Sequence, residues 1–188
     1  MDTPAVNLAG KYPADVIKFL DLIAIYCEGT TSAPSVNNGY DRFVNGVHGA
    51  SIFTDYSQHP FAGGLPPITV VAPGTRFPNG LRSDAAGRYQ IMLKTWNGLA
   101  NPISGIHLPD FSPLSQDLAA IELMRQRGSL PHLENGNIEA ALAAHATPSD
   151  LEAAVEDASN IWASFPGNSY GQGGRSMSQI LADWDKLS

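Results

Sequence analysis

The stretch FLDLIAIYCEGT, Phe19 to Thr30, constrains this chain most: an apolar run at helical spacing that halts on one carboxylate, Glu28, with Gly29 directly behind it. Val16, Phe19, Leu20, Ile23 and Cys27 recur on one face while Asp15, Lys18 and Asp21 fall off it, so the pattern predicts an amphipathic helix starting at Pro13 or Ala14. Gly29 is the residue expected at a left-handed cap just past the last turn, which sets Glu28 at the carboxyl end. An anion there meets the negative end of the helix dipole. Ile25, Tyr26 and Cys27 would also take water away from it, and both effects favour the protonated carboxyl that a general acid needs near neutral pH. Taken alone, the segment also fits a solvated surface Glu beside a helix stop.

A chain of 188 residues can bury a core as one domain with two lobes. No apolar run is long enough to span a membrane, so no stable membrane association is expected. The start MDTPAVNLAGKYPAD has neither a basic n-region nor an apolar h-region, which implies a protein made and first held in a cytoplasm. The single cysteine excludes an internal disulfide, and Cys27 beside an apolar face reads as packing before it reads as a nucleophile. A formal charge of -7 argues against nucleic acid, whose binding comes largely from phosphate neutralisation. His48, His59, His107, His132 and His145 are scattered without ligand spacing, so they read as surface or loop, and neither metal nor other cofactor is expected. No Walker loop or nucleophile-elbow serine is present, which removes the common kinase, hydride-transfer and esterase readings.

Residues 1–12 read as a loosely held arm. Between Gly29 and Tyr56 the chain is rich in Gly, Asn and Ser, and its short runs at Tyr40 to Val44 and Ile52 to Tyr56 predict a hairpin or three-stranded sheet with a turn at Gly46 to Gly49. Pro60 to Arg82 reads as a long loop holding one strand around ITVV. Ser83 or Asp84 would cap a helix carrying Tyr89, Met92 and Trp96. Ser112 with Pro113 starts the best-defined helix, with Leu114, Leu118, Ile121 and Leu123 inward and Gly128 after it. Further helices are predicted over 138–146 and from Ser149 to about Ala163, and Ser176 with Gln179 caps a last one carrying Ile180, Leu181, Trp184 and Leu187.

What remains for chemistry is a carboxylate at a helix end, a small polar sheet, and aromatic and amide side chains in loops: Tyr40, Phe53, Tyr56, Tyr89, Gln90, Asn160, Trp162 and Tyr170. Sugar rings are bound by aromatic faces and by amides or hydroxyls in a preformed cleft, so a long polysaccharide is a sensible ligand. The blocks FLDLIAIYCEGT, NNGYDRFVNG, FTDYSQHP, AAGRYQIM, DFSPLSQDLAAI, QRGSLP and SNIWASFPGNSYGQ, in this order, resemble the bacteriophage lambda endolysin family. The resemblance implies an α+β, lysozyme-like fold: a mainly helical lobe plus a small antiparallel β lobe with a glycan cleft between them, one catalytic domain over 1–188 with the β lobe and long loop at about 37–82. It further implies a lytic transglycosylase that cuts between N-acetylmuramic acid and N-acetylglucosamine in peptidoglycan and leaves 1,6-anhydromuramoyl ends.

On that resemblance Glu28 is the catalytic residue, acid first and base second. Gln90, Tyr89, Asn160, Tyr170, Tyr40 and Tyr56 would bind substrate, and Arg88 would meet a lactyl or peptide carboxylate. The partner would be the glycan strands of peptidoglycan, the protein a monomer held in the host cytoplasm until release and then acting in the periplasm. Two alternatives stay open. One is a hydrolytic muramidase pairing Glu28 with Asp55 or Asp41, although Asp is a frequent turn former and both read as loop structure. The other is a non-catalytic glycan-binding virion module on the same scaffold.

Overall fold

Pro13 turns the chain into its first helix: an extended backbone at φ -55°, ψ 154° leaves Ala14 as the first helical residue, and α1 runs Ala14–Asp21. The computed structural model describes Leu8, residues 10–134, Trp162 and residues 175–187. Beyond Asp21 the winding loosens into a π-turn, Leu22–Cys27, a device frequent at functional sites. The wider winding rotates every later residue about the axis. Val16, Phe19, Leu20 and Ile23 are fully buried as expected, but so are Leu22 and Ala24, and Asp21 is buried too. Cys27, expected on the buried stripe, is only half-buried.

The chain divides into two compact units, Met1–Gly29 with Ala120–Ser188, and Thr30–Ala119. In the first, α1 packs against the short helix α4 (Leu130–Glu134), and the π-turn against α5 (Met177–Asp185). Leu8, Phe19, Leu22, Ile23, Met124, Leu133, Trp162 and Ile180 fill its core. Ser176 and Gln179 form the expected capping box: the Ser hydroxyl accepts from Gln179 N at 3.3 Å and the Gln side chain from Ser176 N at 2.8 Å. The helices predicted over 138–146 and Ser149 to Ala163 lie outside the described residues.

The second unit carries the sheet. Strand β1 (Ile68–Val71) pairs antiparallel with β2 (Leu81–Ser83), Ile68 opposite Ser83 and Val71 opposite Leu81, with an irregularity between Thr69 and Val71. The loop predicted to hold one strand therefore holds a hairpin. The sheet expected from Tyr40 to Tyr56 shrinks to isolated bridges, Arg42 with Ile52 and Gly46 with Gly49, because Phe43 also bridges Ala86 and is pulled out of a two-strand register.

The helix expected to be capped by Ser83 or Asp84 is capped by Met92, eight or nine residues later, as α2 (Leu93–Leu99). Gly87 at φ +79° and Gln90 at φ +49° are both left-handed, which no α-helix accommodates. Asp84 still serves a helix amino terminus, accepting from Leu93 N at 3.3 Å. Helix α3 (Pro113–Gln126) begins where Ser112-Pro113 predicts, but its first turns are inverted. Leu114 is exposed and Ser115, Gln116 and Asp117 are buried.

His59 is a further correction to the surface-or-loop reading. It is 1% exposed, edge-on to Phe111 at 4.7 Å, with Nε2 3.0 Å from the Ile91 carbonyl and Nδ1 accepting from Phe61 N at 3.4 Å. Only the neutral ring with its proton on Nε2 satisfies both contacts. Burial accordingly holds its pKa below the usual histidine value.

Candidate functional site

Glu28 closes the π-turn. Its backbone N–H donates to the Ile23 carbonyl at 2.8 Å, five residues back, and its backbone at φ -95°, ψ -18° is the last right-handed residue before Gly29 at φ +61°. Gly29 is thus the left-handed stop the sequence predicts, with nothing within 4 Å of where a Cβ would stand. The Glu28 side chain is partly exposed. At the same carbonyl end, Arg175 Nη1 donates to Tyr26 O at 3.2 Å, while its other amino group pairs with Asp183, which Lys186 also meets at 2.7 Å. A cation on those terminal carbonyls offsets the negative end of the helix dipole.

Within the second unit, Thr30, two residues on from Glu28, is buried, and its hydroxyl donates to the Arg88 carbonyl at 2.7 Å. That carbonyl begins the turn bearing Gln90, whose side-chain Nε2 donates to Gly87 O at 2.9 Å. A non-glycine residue held at positive φ is strained, and such strain clusters where side chains are aimed for function. Arg88 is 1% exposed: its guanidinium reaches Asn38 O and lies 5.3 Å from the Tyr40 ring centre, and its backbone N–H donates to Gln116 Oε1 at 2.9 Å. Arg88 is therefore engaged inside the protein and does not face a ligand carboxylate.

Tyr40 and Tyr89 are also corrected by their burial. Expected to line a cleft, they are 3% and 0% exposed, and both hydroxyls donate to the same oxygen of buried Asp117, at 2.8 Å and 2.6 Å. A ring without exposed surface cannot stack on a sugar, so these phenols brace the turn from beneath. Burial first, and the Asp117 charge second, push both phenol pKa values well above the ordinary value, keeping them donors. Tyr56 is half-buried, and its hydroxyl accepts from Asn37 Nδ2 at 2.9 Å. Asn160 and Tyr170 lie outside the described residues. Trp162 is 4% exposed and so is a core ring and not a sugar platform.

The two other candidate carboxylates are committed to loops. Asp41, 2% exposed, accepts from the Ser35 hydroxyl at 2.5 Å and from Val36 N at 2.9 Å. Asp55 is exposed and accepts from Ser57 N at 2.8 Å, bonding that holds its pKa below the usual carboxylate value. Sequence reading missed Thr30, Gln116 and Asp117. The available signal was an acid and an amide set beside the apolar positions of α3. Among the described residues no group of three or more His, Cys, Asp or Glu could hold a metal ion, and no helix is long and apolar enough to cross a membrane.

A helical unit and a small antiparallel hairpin, with one acidic side chain at a helix stop, define a lysozyme-like α+β protein. The solved structure of bacteriophage lambda lysozyme complexed with a chitohexasaccharide superposes with a TM-score of 0.65 at 33% identity, covering 92% of this chain and 93% of that one. A second structure, lysozyme from bacteriophage lambda, gives 0.65 at 31% identity over 93% and 94%. The endolysin of Escherichia phage P2 is 40% identical over 90% of each chain, and that of Escherichia phage lambda 34% identical over 87% of this chain and 85% of its own. The family model described as Endolysin matches residues 17–187, and the chain belongs to the endolysin family.

Proposed function

We propose that this chain cleaves peptidoglycan as a lytic transglycosylase, breaking the β-1,4 bond between N-acetylmuramic acid and N-acetylglucosamine with Glu28 as its one catalytic carboxylate. The observation that carries the reading is the position of Glu28, partly exposed at the left-handed stop of a buried helix, while the second carboxylate a hydrolase needs would have to come from Asp41 or Asp55, both of which hold loop turns. Hydrolytic glycosidases use two carboxylates about 5 to 9.5 Å apart. A transglycosylase needs one. Protonated Glu28 gives its proton to the leaving glycosidic oxygen as the C1–O4 bond breaks and positive charge grows at C1. The resulting carboxylate then takes the proton of the muramoyl O6 hydroxyl as that oxygen bonds C1, so the group ends as it began and no water is consumed.

Gln90 would bond an acetamido group or backbone beside the scissile bond, Tyr56 would contact a neighbouring sugar, and Asn160 and Tyr170 would complete the cleft. Tyr40 and Tyr89 serve through Asp117 by fixing the Gln90 turn. The protein would act as a monomer, held in the host cytoplasm until release and then working in the periplasm. Replacing Glu28 by Gln should leave the unfolding midpoint unchanged and reduce clearing of permeabilised Gram-negative cells by about 10²-fold or more. Near wild-type clearing by that variant would refute the mechanism. Mass spectrometry of the digest decides the reaction, because each transglycosylase product is lighter by one water than the muramidase product that Glu28 with Asp55 would give.

A further inference from the structure

Asn37 and Tyr56 lie 19 residues apart in sequence, yet their polar ends meet at 2.9 Å on half-buried surface. Each is fixed through its backbone. Asn37 N donates to Ser35 Oγ at 3.3 Å and its carbonyl accepts from Tyr40 N at 2.9 Å, while the Tyr56 carbonyl accepts from Phe111 N at 2.8 Å and its ring packs edge-on to Phe53 at 5.4 Å. The pair is held before any ligand arrives.

Asn37 is the donor in this bond, so the Tyr56 hydroxyl spends a lone pair and keeps its proton to give, and Asn37 Oδ1 keeps its lone pairs. Among the described residues neither that proton nor Oδ1 has a protein partner. Turning the amide over exchanges the roles but still leaves one free donor and one free acceptor side by side. Burial holds the phenol pKa above its ordinary value, so the donor persists at neutral pH. The preceding residue, Val36, is 83% exposed, its N–H tied to Asp41, and so adds an apolar patch to the polar pair.

We propose that Asn37 and Tyr56 together bind adjacent substituents of an N-acetylated pyranose, a ring hydroxyl giving its proton to the amide oxygen and a neighbouring hydroxyl or acetamido oxygen accepting from the phenol. The assignment rests on the glycan reading above. It adds Asn37 to the site and gives Tyr56 a hydrogen-bonding role in place of ring stacking.

The test uses the full chain, calorimetric titration with chitohexaose, and kcat and KM on purified peptidoglycan. Tyr56→Phe and Asn37→Ala should each weaken chitohexaose binding by about 3- to 10-fold and raise KM with kcat little changed. The double variant should lose less than the product of the two, since each residue holds the other. Asn37→Asp, which keeps shape but removes the amide donor, should also bind more weakly at an unchanged unfolding midpoint. Wild type that neither binds chitohexaose nor clears peptidoglycan overturns the glycan reading and this assignment with it. Wild type that does either, matched by all the variants, overturns this assignment alone.

Discussion

Replacing Asp117 by Ala tests whether the turn bearing Gln90 is held from beneath. The carboxylate oxygen accepts from Tyr40 at 2.8 Å and from Tyr89 at 2.6 Å, and all three side chains are at most 3% exposed. Without it both phenols lose this acceptor inside the core, each loss costing about 1–3 kcal/mol. They share one oxygen, so the losses overlap, and a total of about 3 kcal/mol is expected out of the roughly 5–15 kcal/mol of a typical domain. For a chain of this size that lowers the melting midpoint by about 6–12 °C. Urea unfolding followed by tryptophan fluorescence gives the free energy directly. The diagnostic variant is the triple change Asp117→Leu with Tyr40→Phe and Tyr89→Phe, which removes acceptor and donors together and should recover most of the loss, because a buried ionised group is itself expensive to desolvate. An Ala variant within about 0.5 kcal/mol of wild type, or a triple variant no better than the single, would refute the reasoning.

Three neighbouring features give sharper signs. His59 has a folded pKa below its unfolded value, so its stabilising contribution is complete above about pH 6.5 and is lost as pH falls toward the depressed folded value, where the unfolded chain binds a proton the core refuses; His59→Phe should flatten the dependence of the urea midpoint between about pH 7.5 and 5. Gly87→Ala would drive a Cβ into the Gln116 amide and to 3.1 Å from Phe111 at φ +79°, so a loss of about 2–4 kcal/mol in urea unfolding is expected. Gly29→Ala, also left-handed but with open space around the new methyl, should lose only about 1–2 kcal/mol in the same assay.

The contrast between those two glycines also shows which parts of the fold could be read from the chain. Gly29 is legible because its cause is local: an apolar helical run stops, and the next residue must reverse the backbone. The Ser176–Gln179 capping box and the start of α3 at Pro113 belong to the same kind, set by neighbours within four residues. For Gly87 no local cause exists, since the helical pattern that starts at Ser83 or Asp84 runs straight through it. Its reason lies 29 residues away, where Gln116 presses on it and bonds Arg88 N. The inverted face of α3 has the same origin, since Gln116 and Asp117 are buried by partners on distant turns. Periodicity assigns apolar residues to the interior and has no means of anticipating satisfied polar ones. The tyrosines follow the same rule: residue type allows a sugar platform as well as a core ring, and only burial separates Tyr56 from Tyr40 and Tyr89.

An overall charge of -7 seated on an anionic cell wall is a difficulty for the proposed function until the charge is divided by unit. Between Thr30 and Ala119 the acids Asp41, Asp55, Asp84, Asp110 and Asp117 are matched one for one by Arg42, Arg76, Arg82, Arg88 and Lys94, so the whole excess belongs to the other unit. Burial removes Asp41, Asp117, Arg42 and Arg88 from the surface, leaving the exposed Arg76, Arg82 and Lys94 against the exposed Asp55 and the half-buried Asp84 and Asp110. The surface of the unit that carries Asn37, Tyr56 and Gln90 is therefore balanced, three cations against three acids, and adds none of the chain's negative excess against an anionic wall. Charge reversal there would set up a repulsion that is long-ranged only when poorly screened, the Debye length falling from about 30 Å at 0.01 M salt to about 8 Å at 0.15 M. Reversing Arg82 and Lys94 to Glu should slow peptidoglycan clearing most at low ionic strength, through KM, with the deficit shrinking as salt is raised. A deficit that is the same at about 0.01 M and 0.15 M salt would mean that these side chains act by short contacts or by fold, and that the charge division does not steer the enzyme.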